Sequence, residues 1–337
     1  MYLLGIETSC DETSAAIVED GNKILSNIVV TQIKDHAAFC GVVPEIASRI
    51  HLETINTVID EAFKTAGLKF EDIDAVGAVY KPGLIGALLV GLTTAKAFAF
   101  QYDVPLVPVN HIEAHLYAPH LEHDIPFPNI GLVVSGGHTL LVRSESFTEH
   151  KIIGSTIDDA VGEAFDKVAK FFDLGYPGGP VIDKMSKEGD GEAYNFPRPT
   201  FKDKESLYQF SYSGLKTAVI HQLDKFHKKG HEESTLNIVS SFQKSAIEML
   251  IEKSLEACHD HQLKDVVITG GVSCNSYLRH RFNEIKEVNS YFASPKLSID
   301  NGAMVAGLAY HLYQSGVTAD LDLNAFSKIV KKGKVIG

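Results

Sequence analysis

Two stretches of the chain share one order of apolar and polar positions. Residues 3–30 run as an apolar segment Leu3–Thr8, a small polar turn Ser9–Ser14, a second segment Ala15–Glu19, the turn Asp20-Gly21-Asn22, and a third segment. Residues 130–154 repeat that order with Ile130–Val134, the turn Ser135-Gly136-Gly137-His138-Thr139, Leu140–Arg143, and a segment near Lys151–Gly154. Short runs bounded by turn residues predict strands, and their small-residue tips predict hairpins. Each hairpin is followed by an apolar strand that enters a glycine loop and then a helix. These are Ala75–Val79 with Lys81-Pro82-Gly83-Leu84-Ile85-Gly86, and Asp265–Thr269 with Gly270-Gly271-Val272-Ser273. The pattern predicts an α/β protein of two duplicated lobes.

Apolar positions recur at helical spacing in Val43–Thr65, Gly86–Phe100, Asp158–Phe172, Thr235–His259 and Gly302–Ser315. Leu174–Arg198, rich in Gly and Pro, reads as an irregular stretch suited to closing over a ligand. The lobe boundary is placed near Val109: residues 1–109 form the first lobe, 110–301 the second, and the C-terminal helix in 302–337 returns to the first. At 337 residues the chain exceeds one compact domain, so a central cleft between lobes is where a site is to be sought.

Composition narrows the classes. Hydrophobic residues at 45% and charged residues at 22% are ordinary globular usage, so no stapling is required. The N-terminal segment has no basic leader and meets Glu7 too early for a signal-peptide core. The most apolar run, Leu84–Phe100, is interrupted by Thr93, Thr94 and Lys96 and predicts no transmembrane segment. Cys10, Cys40, Cys258 and Cys274 form no Cys-x-x-Cys pair, which favours reduced thiols and a cytoplasmic location. A net charge of −12 is the wrong sign for binding nucleic acid over the whole surface. Any such contact must be local or shared with a partner, with Lys225, Lys228, Lys229 or Lys328, Lys331, Lys332, Lys334 as candidate patches, although such runs are more often simply a solvated face.

Several segments carry chemistry. Ser135–Thr139 offers backbone N–H groups with no side chain in the way of a phosphate or carboxylate, or is an ordinary tight hairpin. Gly270–Ser273 follows a buried strand and leads to Asn275 at a helix start, which serves either an anion or only the helix cap. Asp158, Asp159, Glu163, Asp166 and Asp183 bracket Tyr176-Pro177-Gly178-Gly179-Pro180 and are hydroxyl or amine acceptors or a solvated face. His111-Ile112-Glu113-Ala114-His115 is the sharpest local signal, because residues four apart on a helix share a face and two imidazoles can chelate one metal. Glu113, two residues from each histidine, would point away from that metal, which argues against a glutamate-assisted zinc protease. In a chain with 15 histidines the pair also admits a purely structural reading. Asp300, ahead of an apolar helix, is either its cap or a residue directed into the cleft.

Together these residues resemble one family over almost the whole chain: the bacterial TsaD-type tRNA threonylcarbamoyladenosine transferases, once described as glycoprotein endopeptidases. The resemblance rests on Gly5–Thr13, Gly41–Arg49, Asn110–His115, Val134–Thr139, Gly162–Lys167, Tyr176–Pro180, Ser213–Lys216 and Asp300–Met304, in that order. It implies a fold of the actin/sugar-kinase/Hsp70 (ASKHA) type and transfer from threonylcarbamoyl-adenylate to the N6 amine of the adenosine just 3′ of the anticodon, in tRNAs reading codons that begin with A. It further implies a divalent metal, Fe2+ favoured and Zn2+ possible, held by His111, His115 and Asp300. Val134, Ser135, Gly136, Gly137, His138, Asp166, Gly179, Asp183 and Asn275 match the segments that line the substrate. The family's companions are an inactive paralogue of the TsaB type and a small ATPase of the TsaE type. Departures are Cys40, Lys81, Ala114, Cys274 and Ile299, the last beside the implied ligand Asp300.

In that reaction the mixed anhydride brings its own leaving group, AMP, so no protein nucleophile is required and positioning dominates. Asp11 or Glu12, at the first hairpin's tip, is a candidate to orient the amine or take its proton. Two rivals remain from sequence: a small-molecule kinase of the same fold class, which leaves the histidine pair unexplained, and a nucleotide-dependent scaffold without catalysis.

Overall fold

The structure, a computed structural model, describes residues 1–337 apart from 40, 200, 202, 204–205, 227–231, 332–333 and 337. Cys40, Lys228, Lys229 and Lys332 therefore lie outside the described residues. In chain order the principal strands are β1 Tyr2–Glu7, β2 Glu12–Glu19, β3 Lys23–Thr31, β4 Ala75–Lys81, β5 Leu106–Asn110, β6 Asn129–Val134, β7 Thr139–Ser144, β8 His150–Ser155, β9 Asp265–Thr269 and β10 Asn289–Phe292. The helices are α1 Ile33–His36, α2 Pro44–Ala66, α3 Ile85–Tyr102, α4 His111–Tyr117, α5 Val161–Phe171, α6 Gly178–Met185, α7 Ser213–Phe226, α8 Glu232–His261, α9 Ser276–Glu284, α10 Pro295–Ser298 and α11 Gly302–Gln314.

The chain forms two compact units, one of residues 1–125, 146–149 and 293–337, the other of 126–145 and 150–292. Residues 110–125, 146–149 and 293–301, expected in the second lobe, pack in the first unit. The strand that precedes the histidine pair, β5, is paired with β4, and α4 packs on α11 immediately after it.

The duplication visible in the sequence is present in the sheets. The first unit orders its strands β3-β2-β1-β4-β5 and the second β8-β7-β6-β9-β10, the same path read through equivalent strands. In both, two antiparallel hairpin pairings are followed by two parallel pairings.

Period-two alternation decides the first unit's packing. Leu3, Ala16, Val18, Ala75 and Val107 face one way with α11, while Leu4, Ile6, Ala15, Ile17 and Val76 face the other with α2 and α3. The α11 contact is unusually close. A methyl group at Gly5 would lie 2.3 Å from the Gly302 carbonyl and 2.4 Å from the Ala306 amide, so only glycine lets the helix rest on β1. That approach fixes where Asp300, two residues before α11, must sit. Although α3 has the length and apolar composition to cross a membrane, here its Leu88, Leu92, Ala95 and Phe98 are buried.

In the second unit β6, β7 and β9 pack on α5 and α8 through Ile130, Leu132, Val134, Phe165 and Phe242. The stretch 174–198, expected to be irregular throughout, contains α6. Its start is set by the Asp166 carboxylate, whose Oδ1 accepts the Gly178 N–H at 2.7 Å, and it buries Ile182. A helix of only eight residues with two leading glycines gives too little periodicity to stand out in sequence.

Candidate active site

The histidine pair opens α4. Asn110 caps that helix by accepting the Ile112 N–H on its side chain at 3.0 Å, so the helical turn begins at His111 and places His115 on the same face. The rings lie 4.6 Å apart, close to perpendicular, and both are buried. Asp300 completes the group: its Oδ1 is 2.9 Å from His115 Nε2 and 3.7 Å from His111 Nε2. Between the two sequence readings of Asp300 the structure decides, because Asn301 caps α11 through the Met304 N–H at 3.1 Å and leaves Asp300 facing the imidazoles. Glu113 is directed elsewhere, accepting from Asn110 Nδ2 at 3.0 Å.

These residues fit a divalent metal. One ligand atom from each of His111, His115 and Asp300 lies within 4.8 Å of the others. Donors about one ion stand at most about 4.4 Å apart, twice a bond of about 2.2 Å, so small side-chain adjustments suffice. His111 Nδ1 is engaged at 3.0 Å by both Glu7 Oε2 and Ser9 Oγ, which leaves Nε2 to face the ion, the carboxylate–imidazole–metal arrangement that fixes ring orientation. His115 Nδ1 is a buried nitrogen with no hydrogen-bond partner among the described residues. Two imidazoles and one carboxylate suit iron or zinc and leave coordination positions for a substrate. Electrostatics agree: burial works against an imidazolium at His111, yet the charges of Asp300 and Glu7 raise its pKa to about 9, so the cluster favours positive charge.

Glu7 and Ser9 stand in the Gly5–Thr13 motif, which by itself gives them no role. A carboxylate closing an otherwise apolar strand was the available signal. Glu7 is fully buried, and its second oxygen accepts the Ser9 N–H at 2.5 Å. Beyond it, burial together with the charges of Asp300 and Asp11 pushes the Glu12 carboxyl well above the carboxylate range. Among the described residues the metal-capable cluster is this triad, so Asp11 and Glu12 stand outside it.

In the second unit the remaining predicted residues fall on neighbouring segments. Ser135 closes the β6–β7 turn, donating its N–H to the His138 carbonyl at 2.8 Å and receiving the His138 N–H on Oγ at 3.1 Å. Gly136 and Gly137 are exposed, and a methyl on either would touch nothing within 4 Å, so their main chain is approachable. Gly270, at φ +91°, runs against this turn, where a methyl would lie 2.3 Å from the Val134 carbonyl. Asn275 caps α9 through the Leu278 N–H at 3.0 Å while its Nδ2 donates to Gln243 at 2.7 Å. Asp183 Oδ1 accepts from both the amide and hydroxyl of Ser276. Asp158 and Asp159 are structural. Asp158 accepts the Tyr212 N–H ahead of α7, and Asp159 pairs with Lys167 at 2.7 Å and Lys216 at 2.6 Å.

Duplicated five-stranded units and a buried two-histidine, one-carboxylate cluster define the class: a metal-capable protein of the actin/sugar-kinase/Hsp70 architecture. Solved structures share the fold at low identity. HypF of T. kodakarensis superposes with a TM-score of 0.62 at 15% identity, covering 94% of this chain and 48% of that one. The (R)-2-hydroxyglutaryl-CoA dehydratase component A of Acidaminococcus fermentans does so at 0.56 and 18%, covering 94% and 98%. The chain belongs to the tRNA N6-adenosine threonylcarbamoyltransferase family, whose model matches residues 23–307. Proteins of that description from Treponema denticola and Staphylococcus haemolyticus are each 51% identical to it. The first alignment covers 99% of this chain and 100% of the relative, the second 96% and 94%.

Proposed function

We propose that this chain is the acyltransferase its family description names. It moves the threonylcarbamoyl group from threonylcarbamoyl-adenylate to the N6 amine of the adenosine just 3′ of the anticodon, in tRNAs reading codons that begin with A. The products are N6-threonylcarbamoyladenosine and AMP. The observation that carries this reading is the near full-length likeness, at about half the residues identical, to proteins of that name. A kinase of the same fold gives no reason for His111, His115 and Asp300.

In the transfer, the amine nitrogen forms a bond to the carbamoyl carbon, the bond from that carbon to the phosphate oxygen breaks, and the amine loses a proton. AMP is already a good leaving group, so the chain's work is placement and charge stabilisation. His111, His115 and Asp300 are the residues that would hold a divalent ion, which supplies positive charge for donor oxygens. Iron is favoured over zinc through the resemblance. Glu7 and Ser9 keep His111 presented by its Nε2.

For the adenylate, the exposed main chain of Gly136 and Gly137 offers N–H donors to phosphate, in a turn that Val134, Ser135 and His138 frame. Asp166, Gly179 and Asp183 supply acceptors and an open helix start for hydroxyl groups. Asn275, with both ends of its amide engaged within the protein, contributes by fixing the 270–275 loop rather than by reaching out. A TsaB-type paralogue and a TsaE-type ATPase are the companions this reading calls for, and its tRNA substrate places the work in the cytoplasm.

The test is incubation of the chain and its companions with iron, threonylcarbamoyl-adenylate and unmodified tRNA, followed by nucleoside mass spectrometry. Product that disappears in His111→Ala, and on chelation returns better with Fe2+ than with Zn2+, is expected. Bound donor without any modified adenosine, with every companion present, would turn the reading to the scaffold.

A further inference from the structure

The hairpin tip at Ser9–Asp11 has three successive carbonyls, each held by a different donor. Ser9 O accepts from the Leu84 amide at 2.8 Å, Asp11 O from the Gln32 amide at 3.0 Å, and Cys10 O from the His51 side chain at 2.9 Å. His51 is fully buried on α2, 41 residues from the carbonyl it holds.

The partners fix its tautomer. A carbonyl can only accept, so His51 Nε2 carries the proton and Nδ1 is an acceptor, contacted by Thr13 Oγ1 at 2.7 Å and Gln32 Nε2 at 3.3 Å. Gln32 Oε1 in turn accepts from His36 Nε2 at 3.2 Å, and His36 Nδ1 accepts the Val43 N–H at 3.3 Å. Four donors therefore point one way, from the residue that opens α2, through His36, Gln32 and His51, to the Cys10 carbonyl. Gln32 and His36 are also fully buried. Burial keeps His51 below the ordinary histidine pKa, although its bond to Cys10 and the charges of Glu7 and Asp11 act the other way, so the neutral ring this relay needs is the one present at neutral pH.

The far side of the same tip meets the metal-capable cluster. Ser9 Oγ lies 3.0 Å from His111 Nδ1, and the Ser9 amide holds Glu7, which holds the same nitrogen. We propose that His51, backed by Gln32 and His36, is a positioning residue for the transfer reaction, locking the Ser9–Asp11 tip so that His111 and the Asp11 side chain meet the reacting groups in register. It touches no substrate and acts only through the tip. The proposal rests on the reading of His111, His115 and Asp300 as the reacting centre.

Two substitutions separate its roles. His51→Gln can place an N–H near the old Nε2 and keep the Cys10 carbonyl held, whereas His51→Asn retains an acceptor near Nδ1 and loses that donor. In the reconstituted reaction at saturating metal, losing a buried donor predicts a kcat at least about tenfold lower for His51→Asn, and within about threefold of wild type for His51→Gln, with KM for tRNA unchanged in both. Equal kcat in the two variants, a change confined to KM, or losses that simply follow metal content or unfolding temperature would overturn the proposal. Should neither variant fold, His36→Leu at the other end of the relay is measured the same way: lowered kcat at constant KM supports the inference, and wild-type kcat sinks it. His111→Ala run in parallel distinguishes the failures. A transfer-competent His111→Ala removes the reading of the centre and this inference with it, while an inactive His111→Ala beside indistinguishable His51 variants removes only the inference.

Discussion

Glu7→Gln is the most discriminating single change at the candidate metal site, because it preserves shape and removes only a charge and one acceptor. The carboxylate serves two buried donors, the Ser9 amide on Oε1 and His111 Nδ1 on Oε2. An amide has one accepting end and one donating end. If its oxygen faces Ser9, the NH2 confronts His111 Nδ1 and drives the ring to the tautomer with its proton on Nε2, which cannot ligate. If the oxygen faces His111, the Ser9 N–H confronts the NH2 and the turn shifts. Metal binding needs the proton on Nδ1, and in that state either orientation leaves a buried N–H unsatisfied at a cost of about 1–3 kcal/mol. Charged to the metal-bound state, that is roughly a 10- to 100-fold weaker metal affinity, the range expected for loss of a carboxylate behind a ligating imidazole. Competition titration of Fe2+ or Zn2+ against a chromophoric chelator measures it directly. An affinity within about twofold of wild type would refute the argument that Glu7 sets the ligating tautomer.

Three further outcomes follow from the packing and the charges. Gly5→Ala must push α11 off β1, since the new methyl would lie 2.3 Å from the Gly302 carbonyl; urea unfolding should show a loss of about 1–3 kcal/mol. Gly136→Ala meets nothing within 4 Å and should leave the unfolding midpoint unchanged while raising KM for the adenylate; a lowered midpoint would contradict the open loop. At Asp159, burial alone would raise the pKa, but the hydrogen bonds and charges of Lys167 and Lys216 outweigh it and hold the carboxyl below its usual value. A depressed carboxylate stabilises the fold above its unfolded pKa, about 3.9, and loses that contribution as pH falls through the lower folded value. The stability difference between wild type and Asp159→Asn should therefore be full at pH 7 and close on acidification below about pH 4; a difference independent of pH would show that the pairs contribute nothing.

The fold was legible where a period carried it. The repeated hairpins, the strands at 75 and 265 and five helices all come from alternation or helical spacing, because burying one face forces those patterns. Helix α6 was not, for it is short and held by Asp166 from outside its own sequence. The histidine pair was legible for the same geometric reason, as one helical face. The role of Asp300 was not: Asp300 and Asn301 are adjacent residues of equal capping ability, and only the position of α11 on Gly5 decides which of them caps and which faces the imidazoles.

What stayed hidden has one physical cause. Glu7 and Ser9 reach His111, Gln32 reaches His51, and His51 reaches the Cys10 carbonyl, with His36 behind Gln32; hydrogen bonds between segments distant in sequence follow no period. A buried histidine in α2 occupies the place an apolar residue would, so the helical pattern of 43–65 stands whether His51 is a ligand, a relay or a filler. The same chemistry makes these residues unforgiving. An apolar position tolerates a change of shape at modest cost, but a directed relay in which every acceptor is already used fails wherever one member loses its donor. The sequence pattern thus locates the scaffold, while the reactivity of the centre depends on donors and acceptors that only the folded chain brings within 3.5 Å of each other.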